Sequence, residues 1–376
     1  MMKLFAQWRR AAGWTQEALA EHLGVDRSTV HRWEAGKAAP RSWQLPALSE
    51  AIKRAPAELE ALFDGQLDER PTKARSGDHA GGSPDELRIV YLDLERRYDR
   101  APSSSLLAEA GQYFALLDQM ACQFGDGPQK RDVLTVQAET ATLMGKLVWD
   151  ASQRRDHIGA RKYYSQAATL ARRLQNPVLE SHALLRSSYV DLYGTTDAPT
   201  GLALAEAAAR RAAPVSPALA GLALLHAGEA HAMLGDREEC EKSIGLAQEL
   251  LAHGDSGPAA DLISPDQFRR LAGSCYLELG QLQRAQYELE TVAGSLGRRQ
   301  KSRTIVLGNL ALALIRQREV DGALEVLDQA VDELEQTRGG GGMNRVFAAA
   351  RELKPWRREV QVLELNDRLL SLMAAP

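Results

Sequence analysis

Residues 27–32 bring together polar side chains that can read the edges of DNA bases. Arginine can donate two hydrogen bonds to guanine, serine and threonine can bond to several base edges, and a threonine methyl can contact a thymine methyl. This chemistry requires that one short helix carries the side chains into a major groove about 12 Å wide. The outward positions of the stretch are Arg27, Ser28, Thr29, His31 and Arg32.

Two helical segments separated by a tight turn would position these side chains. Thr15 is a suitable N-cap for the first helix, in which Ala18, Leu19 and Leu23 fall on one apolar face. Gly24 stands where that helix must end and the chain must turn sharply, a place for a positive φ. Because the turn sets the angle between the helices, we expect the second helix to project from the surface.

The second helix has its own start and stop signals. Asp26 can cap its N-terminus, and Val30 and Trp33 fall on the inward face. Gly36 ends the helix, and Pro40 blocks any continuation because proline has no backbone N–H.

Residues 16–36 follow the pattern Gln-Glu-x-Leu-Ala-x-x-Leu-Gly-Val-x-x-Ser-Thr-Val-x-x-Trp-Glu-x-Gly. The pattern resembles the Cro/CI-type (XRE) helix-turn-helix of bacterial and phage repressors, and the resemblance extends over roughly residues 3–63. It implies DNA binding in which Arg27, Ser28 and Arg32 contact bases. It further implies that Gln16 contacts a phosphate or supports a base-reading residue. The positions that would lie near the DNA backbone are Lys37 and Arg41. The positions that match the family's core are Ala18, Leu19, Leu23, Val30, Trp33 and Leu48.

The N-terminal segment is nearly neutral, which limits what one copy can bind. Residues 1–65 contain nine Lys or Arg and eight Asp or Glu residues, so the positive charge is local to the recognition side. A single copy neutralises few phosphates and should bind weakly. We therefore expect a homodimer on a palindromic operator of double-stranded DNA, with half-sites about 34 Å apart.

Composition bounds the rest of the chain. The 376 residues are 44% hydrophobic and 26% charged with a net charge of -4, which argues against a generally sticky nucleic-acid binder. The longest apolar stretch, near 305–315, is too short to span a membrane, and the first ten residues lack a signal-peptide pattern. The three cysteines have no paired spacing, which predicts a cytoplasmic protein without a disulfide framework or metal cluster.

The pattern divides the chain into five segments and predicts an all-α protein. Beyond residue 85 the strong helix formers Ala, Leu, Glu, Arg and Gln dominate. We expect a helix-turn-helix domain (1–64), a flexible linker rich in Gly and Pro (65–84), an N-terminal helical cap (85–130), helical repeats (131–338) and a C-terminal segment (339–376).

Small residues recur at intervals of 38 to 45 residues at the predicted start of a second helix. These anchors are Ala160, Gly201, Cys240, Ala285 and Ala323. Apolar residues recur four and seven positions after each anchor, and the residue five positions before each anchor falls at a predicted turn. The turn residues are Arg155, Thr196, Gly235, Gly280 and Arg318.

Residues 272–292 resemble a tetratricopeptide repeat, with Gly273, Tyr276, Gly280 and Ala285 at its signature positions. The resemblance implies an α-solenoid, a superhelix whose first helices line a concave face that holds a peptide, a small molecule or a protein partner. An unrelated helical bundle is the alternative. The register predicts that the inward side chains include Lys146, Trp149, Arg186, Tyr193, His226, Glu229, Arg270, Asn309 and Arg316. Each of them alone is also compatible with an ordinary polar surface position.

The last segment begins with four glycines, Gly339 to Gly342, which predict a hinge or loop. Two amphipathic helices should follow, at roughly 343–353 and 355–373. They would either cap the array or form a dimer contact.

Catalytic signatures are absent from the sequence. It has no glycine-rich phosphate loop, no His-Glu-x-x-His and no Gly-x-Ser-x-Gly, so we expect no enzyme activity, no cofactor and no metal. His226 and His231 do not share a helical face well enough to chelate a metal. Cys240 and Cys275 stand at packing positions and should be small core residues.

Two function hypotheses follow. The first is a transcriptional regulator, since the chain resembles Gram-positive regulators that join this helix-turn-helix to a tetratricopeptide sensor. Its Ala- and Arg-rich composition resembles that of actinobacterial proteins. The second is a scaffold or adaptor, in which the array holds a protein partner and the head is a weak tether.

Overall fold

A computed structural model describes residues 5, 8–9, 14–23, 25–34, 40, 45–52, 84–252, 265–296 and 300–374. Within these ranges the protein is all-α, with no β-strand. The chain divides into two compact units, residues 1–80 and 81–376. No helix in the described part of the chain is both long enough and apolar enough to cross a membrane.

Three helices of the N-terminal unit have both ends among the described residues: α1 (Gln16–His22), α2 (Arg27–Glu34) and α3 (Leu45–Ile52). Thr15 caps α1 as predicted, because its hydroxyl accepts a hydrogen bond of 3.0 Å from the backbone N–H of Ala18. The predicted inward positions Leu19, Val30, Trp33 and Leu48 are buried, and Phe5 packs edge-on against Trp33. Ala18 and Leu23 are only half-buried, at the margin of this core. Gly24, Gly36 and residues 65–83 of the linker expected at 65–84 lie outside the described residues, and Pro84 is the first residue of a helix.

The second unit is an α-solenoid preceded by two helices, α4 (Pro84–Tyr98) and α5 (Ser103–Gln123). Successive helices then pack as neighbours along the array, except that the last helix packs against the third helix from the end. They are α6 (Pro128–Ala151), α7 (His157–Arg173), α8 (Pro177–Val190), α9 (Ala198–Ala212), α10 (Pro217–Met233), α11 (Arg237–Ala252), α12 (Pro265–Glu278), α13 (Leu282–Ser295), α14 (Lys301–Arg316), α15 (Val320–Thr337), α16 (Gly340–Glu352) and α17 (Val360–Ala374). Proline opens α6, α8, α10 and α12, where its missing N–H leaves no backbone hydrogen bond unmade.

The predicted repeat register is confirmed. Each of the five small anchors is the fourth residue of the second helix in a pair, and each is buried. The apolar residues four and seven positions further on are buried as well. All five predicted turn residues lie between the paired helices, and Thr196, Gly235, Gly280 and Arg318 adopt positive φ there. In the first pair the positive φ falls at Gln153 and Arg154 instead of Arg155.

The prediction of a hinge or loop at Gly339 to Gly342 is wrong for Gly340, Gly341 and Gly342, because α16 begins at Gly340 and these three glycines are buried. Their lack of side chains permits close packing. A Cβ at Gly340 would lie 3.0 Å from the backbone oxygen of Asp150, and one at Gly342 would lie 2.6 Å from two side-chain carbons of Thr304. The two predicted C-terminal helices are present as α16 and α17, joined through a 3₁₀ turn at Lys354–Trp356.

A buried polar cluster joins the start of the second unit to α14 and α16. The Lys301 ammonium lies 2.8 Å from a carboxylate oxygen of Asp150, and it donates a hydrogen bond of 2.7 Å to the hydroxyl of Ser103. The backbone N–H of Gly340 donates to the other oxygen of Asp150 at 2.8 Å. In addition, the backbone N–H of Lys301 donates to the carbonyl of Asp99 at 2.9 Å. These bonds close the superhelix on itself. We call Asp99, Ser103, Asp150, Lys301 and Gly340 the closure cluster.

The closure cluster carries a pH-dependent contribution to stability. Burial would raise the pKa of Asp150, but the charge of Lys301, together with hydrogen bonds from Lys301 and Ser103, outweighs burial and holds the pKa below its ordinary value of 3.8. A carboxyl whose pKa is lower in the folded state stabilises the fold above its unfolded pKa. That contribution is lost as the pH falls from about 4 through the lower folded pKa.

Replacing Lys301 by Met should lower the free energy of unfolding by about 3–5 kcal/mol, because it leaves a buried carboxylate without its counter-charge. The double variant Lys301→Met/Asp150→Asn should recover part of that loss, since Asn removes the charge and can still accept from the N–H of Gly340. Urea unfolding of the full chain, followed by far-UV circular dichroism, measures both. Lys242→Met, which breaks an exposed pair with Glu239, is the control and should change stability by about 0–1 kcal/mol. Equal effects of the buried and exposed substitutions would contradict the assignment.

Candidate nucleic-acid interface and solenoid cavity

Helix α2 presents the polar face that the sequence predicted. Arg27, Ser28, His31 and Arg32 are exposed and Thr29 is half-exposed. Val30 and Trp33, on the opposite face, anchor the helix in the core. The polar side chains are therefore carried on a helix that two buried residues hold in place, as a groove-reading helix requires. Lys37 and Arg41, which the family resemblance places near the DNA backbone, lie outside the described residues.

Arg27 forms an exposed ion pair with Glu17 of α1. The guanidinium Nε lies 2.6 Å from a carboxylate oxygen of Glu17, and both side chains remain more than half exposed. An ion pair this exposed stabilises little, because water screens it. Arg27 can therefore exchange Glu17 for another acceptor at low energetic cost.

Gln16 lies in a hydrogen-bonded network at the end of α2. Its side-chain amide donates a hydrogen bond to the carboxylate of Glu34, the last residue of α2. The other oxygen of Glu34 lies 2.6 Å from the Nε of Arg9, whose side chain is 6% exposed. Gln16 was expected either to contact a phosphate or to support a base-reading residue. This arrangement favours the second role, because the network ties the end of α2 to α1.

The second unit contains a partly open cavity of about 410 Å³, a size typical of small-ligand sites. Its walls include residues of α4 and of every first helix of the pairs, namely α6, α8, α10, α12, α14 and α16. Eight of the nine side chains expected on the concave face line this one cavity; the exception is Arg316. That these eight side chains bind an effector stays a prediction.

Arg316 does not face the cavity, and that expectation is wrong. It is the last residue of α14, and its guanidinium pairs with the carboxylate of Glu352 at 2.8 Å. It also lies 3.4 Å from the carbonyl of Leu277, which it reaches through a hydrogen bond. The repeat register predicts the face of a side chain only for residues further inside a helix, where neighbouring helices fix the direction of the side chain. Arg316 stands at the end of α14, so this constraint is missing.

Tyr193, His226 and Glu229 form a buried hydrogen-bonded cluster on the cavity wall. Nδ1 of His226 lies 2.6 Å from the Tyr193 hydroxyl and 2.8 Å from a carboxylate oxygen of Glu229, to which Tyr193 also donates a hydrogen bond. Burial lowers the pKa of His226 more than Glu229 raises it, so the imidazole is neutral at pH 7. These partners favour a proton on Nδ1, which leaves Nε2 as a bare acceptor. That atom is buried and has no hydrogen-bond partner among the described residues.

A π-helical turn, Asp191–Thr195, carries Tyr193 to this cluster. Gly194 makes the turn possible, because a Cβ there would lie 2.7 Å from Nε2 of His157 and 3.2 Å from the ring of Trp149. Arg161 pairs with Asp191 and so fixes the start of the turn. Single π-helical turns are frequent at functional sites because they redirect a side chain out of helical register.

Four arginines line the cavity: Arg345, which pairs with Glu278 at 3.3 Å, and three others, Arg154, Arg186 and Arg270. The guanidinium of Arg154 lies 4.6 Å from the ring centroid of Trp149, and that of Arg186 lies 5.1 Å from the ring centroid of Tyr189. Burial and the cationic neighbours Arg186 and Lys146 lower the pKa of His182 to about 3, so this histidine stays neutral and accepts a hydrogen bond of 3.3 Å from Arg186.

Sequence reasoning missed several cavity residues. Glu95 and Tyr98 lie on α4, outside the repeats, and Lys301 with Asp150 belongs to the closure cluster. Tyr189 had a signal, because it lies three residues after Arg186 on the same face of α8.

The cysteines at packing positions are buried, as expected for Cys240 and Cys275. Although they are 35 residues apart in sequence, their thiols share a hydrogen bond, which with burial raises the pKa of Cys275. No group of three or more His, Cys, Asp or Glu side chains that could hold a metal occurs in the described ranges.

Comparison with known proteins identifies the N-terminal unit. Residues 3–62, about a sixth of the chain, match the family model described as a helix-turn-helix domain. The search of curated proteins found no match to the chain. The match, together with the exposed polar face of α2, supports a DNA-binding regulator.

Replacing Gly194 by Ala should destabilise the second unit by about 1–3 kcal/mol, because the added methyl overlaps His157. Equilibrium unfolding of the full chain measures the change. Gly245→Ala is the matched control. Gly245 is exposed in the middle of α11, and a Cβ there would meet nothing within 4 Å, so the substitution should raise the free energy of unfolding by about 0.5–1 kcal/mol. A gain in the free energy of unfolding for both substitutions would show that the π-helical turn tolerates a side chain.

Proposed function

We propose that the protein is a sequence-specific, double-stranded-DNA-binding transcriptional regulator whose tetratricopeptide-like solenoid binds an effector in its cavity. The observation that supports it most is the geometry of α2. Arg27, Ser28 and Arg32 are exposed on a helix that Val30 and Trp33 anchor in the core, within a matched helix-turn-helix domain.

Base reading begins with an exchange of partners. In the free protein Arg27 pairs with Glu17, and on DNA its guanidinium would turn to the bidentate acceptors O6 and N7 of a guanine. The Glu34 network with Arg9 and Gln16 would hold α2 in orientation during that exchange. Glu17 would then repel phosphates that approach in a wrong register, and this repulsion favours specificity over raw affinity.

The cavity would couple to the heads through the closure cluster. A ligand that bridges first helices from opposite sides of the closed superhelix favours one curvature of the array over another. A ligand shifts such an equilibrium only by its difference in affinity for the two forms. We propose that the change in curvature alters the spacing of two heads in a homodimer, and hence their fit to paired half-sites.

The outer face of α17 supports a second copy of this chain as the dimer partner. Val360, Leu363, Leu370 and Met373 are 51–68% exposed and follow helical spacing, while the opposite face of α17 packs into the core. A terminal capping helix needs a polar outer face, whereas this one carries four apolar side chains beside the exposed Asp367. The nearly neutral head requires two copies for tight DNA binding, which makes a second copy the occupant that fits.

DNA selection tests the regulator. From a random double-stranded pool, the full-length protein should enrich an inverted repeat. Arg27→Ala and Arg32→Ala should each lose about 1–3 kcal/mol of discrimination, and the double variant should enrich nothing. Arg210→Ala, which removes an exposed arginine of α9, is the control and should keep the motif.

Retention of the full motif by the double variant would refute base reading by α2. A pull-down that captures a protein partner through the solenoid, with no enriched motif for the wild-type chain, would favour the scaffold.

Charging the outer face of α17 tests the dimer. Leu363→Glu/Leu370→Glu should give a monomer, because it places like charges where the two copies would meet. Sedimentation equilibrium measures the mass, and Glu364→Gln is a control on the same helix. A wild-type chain that is monomeric at micromolar concentration would rule out this interface.

A further inference from the structure

The charges on the cavity wall are not evenly paired. Three of its carboxylates have close partners. Glu95 pairs with Lys146, Asp150 pairs with Lys301, and Glu229 bonds to His226 and Tyr193. Two more carboxylates line the cavity. Asp99 accepts a hydrogen bond of 3.3 Å from the Ser302 hydroxyl, and Asp266 is half-buried at the start of α12.

The guanidiniums of Arg154, Arg186 and Arg270 lack such partners. Among the described residues, none of the three has a carboxylate oxygen within 4.0 Å. Aromatic rings hold the planes of two of them, with Arg154 over Trp149 and Arg186 over Tyr189. A stacked guanidinium keeps its full charge and leaves its N–H groups at the edge of the plane, ready to bind a carboxylate or phosphate in a fork.

Buried polar atoms on the same wall also lack partners. Nε1 of Trp149, Nε2 of His226 and Oδ1 of Asn309 are buried and have no hydrogen-bond partner within the described part of the chain, and the three residues are at most 4% exposed. Native proteins leave few buried polar atoms unsatisfied, because each one costs desolvation free energy. The indole N–H needs an acceptor, and the amide oxygen and the imidazole nitrogen need donors.

We propose that the cavity binds a small organic anion that also carries hydrogen-bond donors. Arg154, Arg186 and Arg270 would hold its carboxylate or phosphate group, and His226 and Asn309 would accept from its donors. The inference rests on the proposed function, since it names the ligand class of the effector site. Burial and, after it, the charges of Arg186 and Lys146 lower the pKa of His182, and those two charges also favour an anion over a cation beside them.

Two probe anions test the site and separate the two anionic groups. Calorimetric titration of the full chain with pyrophosphate and with citrate, at matched ionic strength, should give binding of at least one. Tighter binding of pyrophosphate indicates a phosphate-bearing ligand, and tighter binding of citrate indicates a carboxylate. Arg186→Met and Arg270→Met should each weaken binding about tenfold to a hundredfold, the effect of losing a charge-assisted hydrogen bond. Arg316→Met, outside the cavity, should leave the affinity unchanged.

A thermal readout separates a binding arginine from a structural one. Without anion, Arg186→Met should melt close to the wild-type temperature, because no carboxylate oxygen lies within 4.0 Å of the guanidinium and only its hydrogen bond to His182 and its stacking on Tyr189 are lost. A structural arginine would lower the melting temperature and leave anion binding intact. Failure of both anions to bind the wild-type chain, or equal binding by the Met variants, would overturn the inference.

DNA selection keeps this result separate from the proposed function. An enriched operator without anion binding would support the regulator and contradict the proposed ligand class. Anion binding without any enriched operator would support the cavity site and contradict the proposed regulator.

Discussion

The buried ion pair between Lys301 and Asp150 determines the form of the second unit. Two charges with side chains about 5% exposed persist only because each satisfies the other, with Ser103 and the backbone N–H of Gly340 completing the coordination. The pair converts an open row of helices into a closed superhelix. The cavity depends on this closure, since its wall includes α4 at the start of the unit and α16 near its end. The glycines that open α16 belong to the same constraint, because a side chain at Gly340 would separate the two surfaces.

Local patterns in the sequence predicted the repeats well, because their determinants are local. A small residue at the fourth position of each second helix allows close approach of its partner, and that requirement recurs whatever the rest of the repeat does. The same register predicts a shared wall for Lys146, Arg186 and His226, and all three line the cavity. The closure could not be predicted in this way. Ser103 and Lys301 lie 198 residues apart and obey no periodicity, and a run of glycines reads as flexible until its neighbours are known.

In the N-terminal unit the motif predicted the helices and the inward residues. It did not predict the ion-pair and hydrogen-bond partners that the polar residues have in the absence of DNA. The pairing of Arg27 with Glu17 and of Gln16 with Glu34 depends on side-chain directions across two helices, which spacing alone does not give. The site residues themselves remain predictions until DNA binding is measured. The composition of the head nevertheless constrains them, since a nearly neutral domain must draw its specificity from a few well-placed side chains.

Closure also changes how the solenoid can fold. In an open repeat array each unit contacts only its neighbours, so unfolding can start at either end and spread one repeat at a time. Here the bond between Gly340 and Asp150 joins residues 190 positions apart, so the helices between α6 and α16 cannot fray from one end. The loop entropy of bringing these ends together must be overcome before their contacts form, which raises contact order and slows folding. The second unit should therefore unfold as one cooperative block, and loss of its last helices should weaken its first ones.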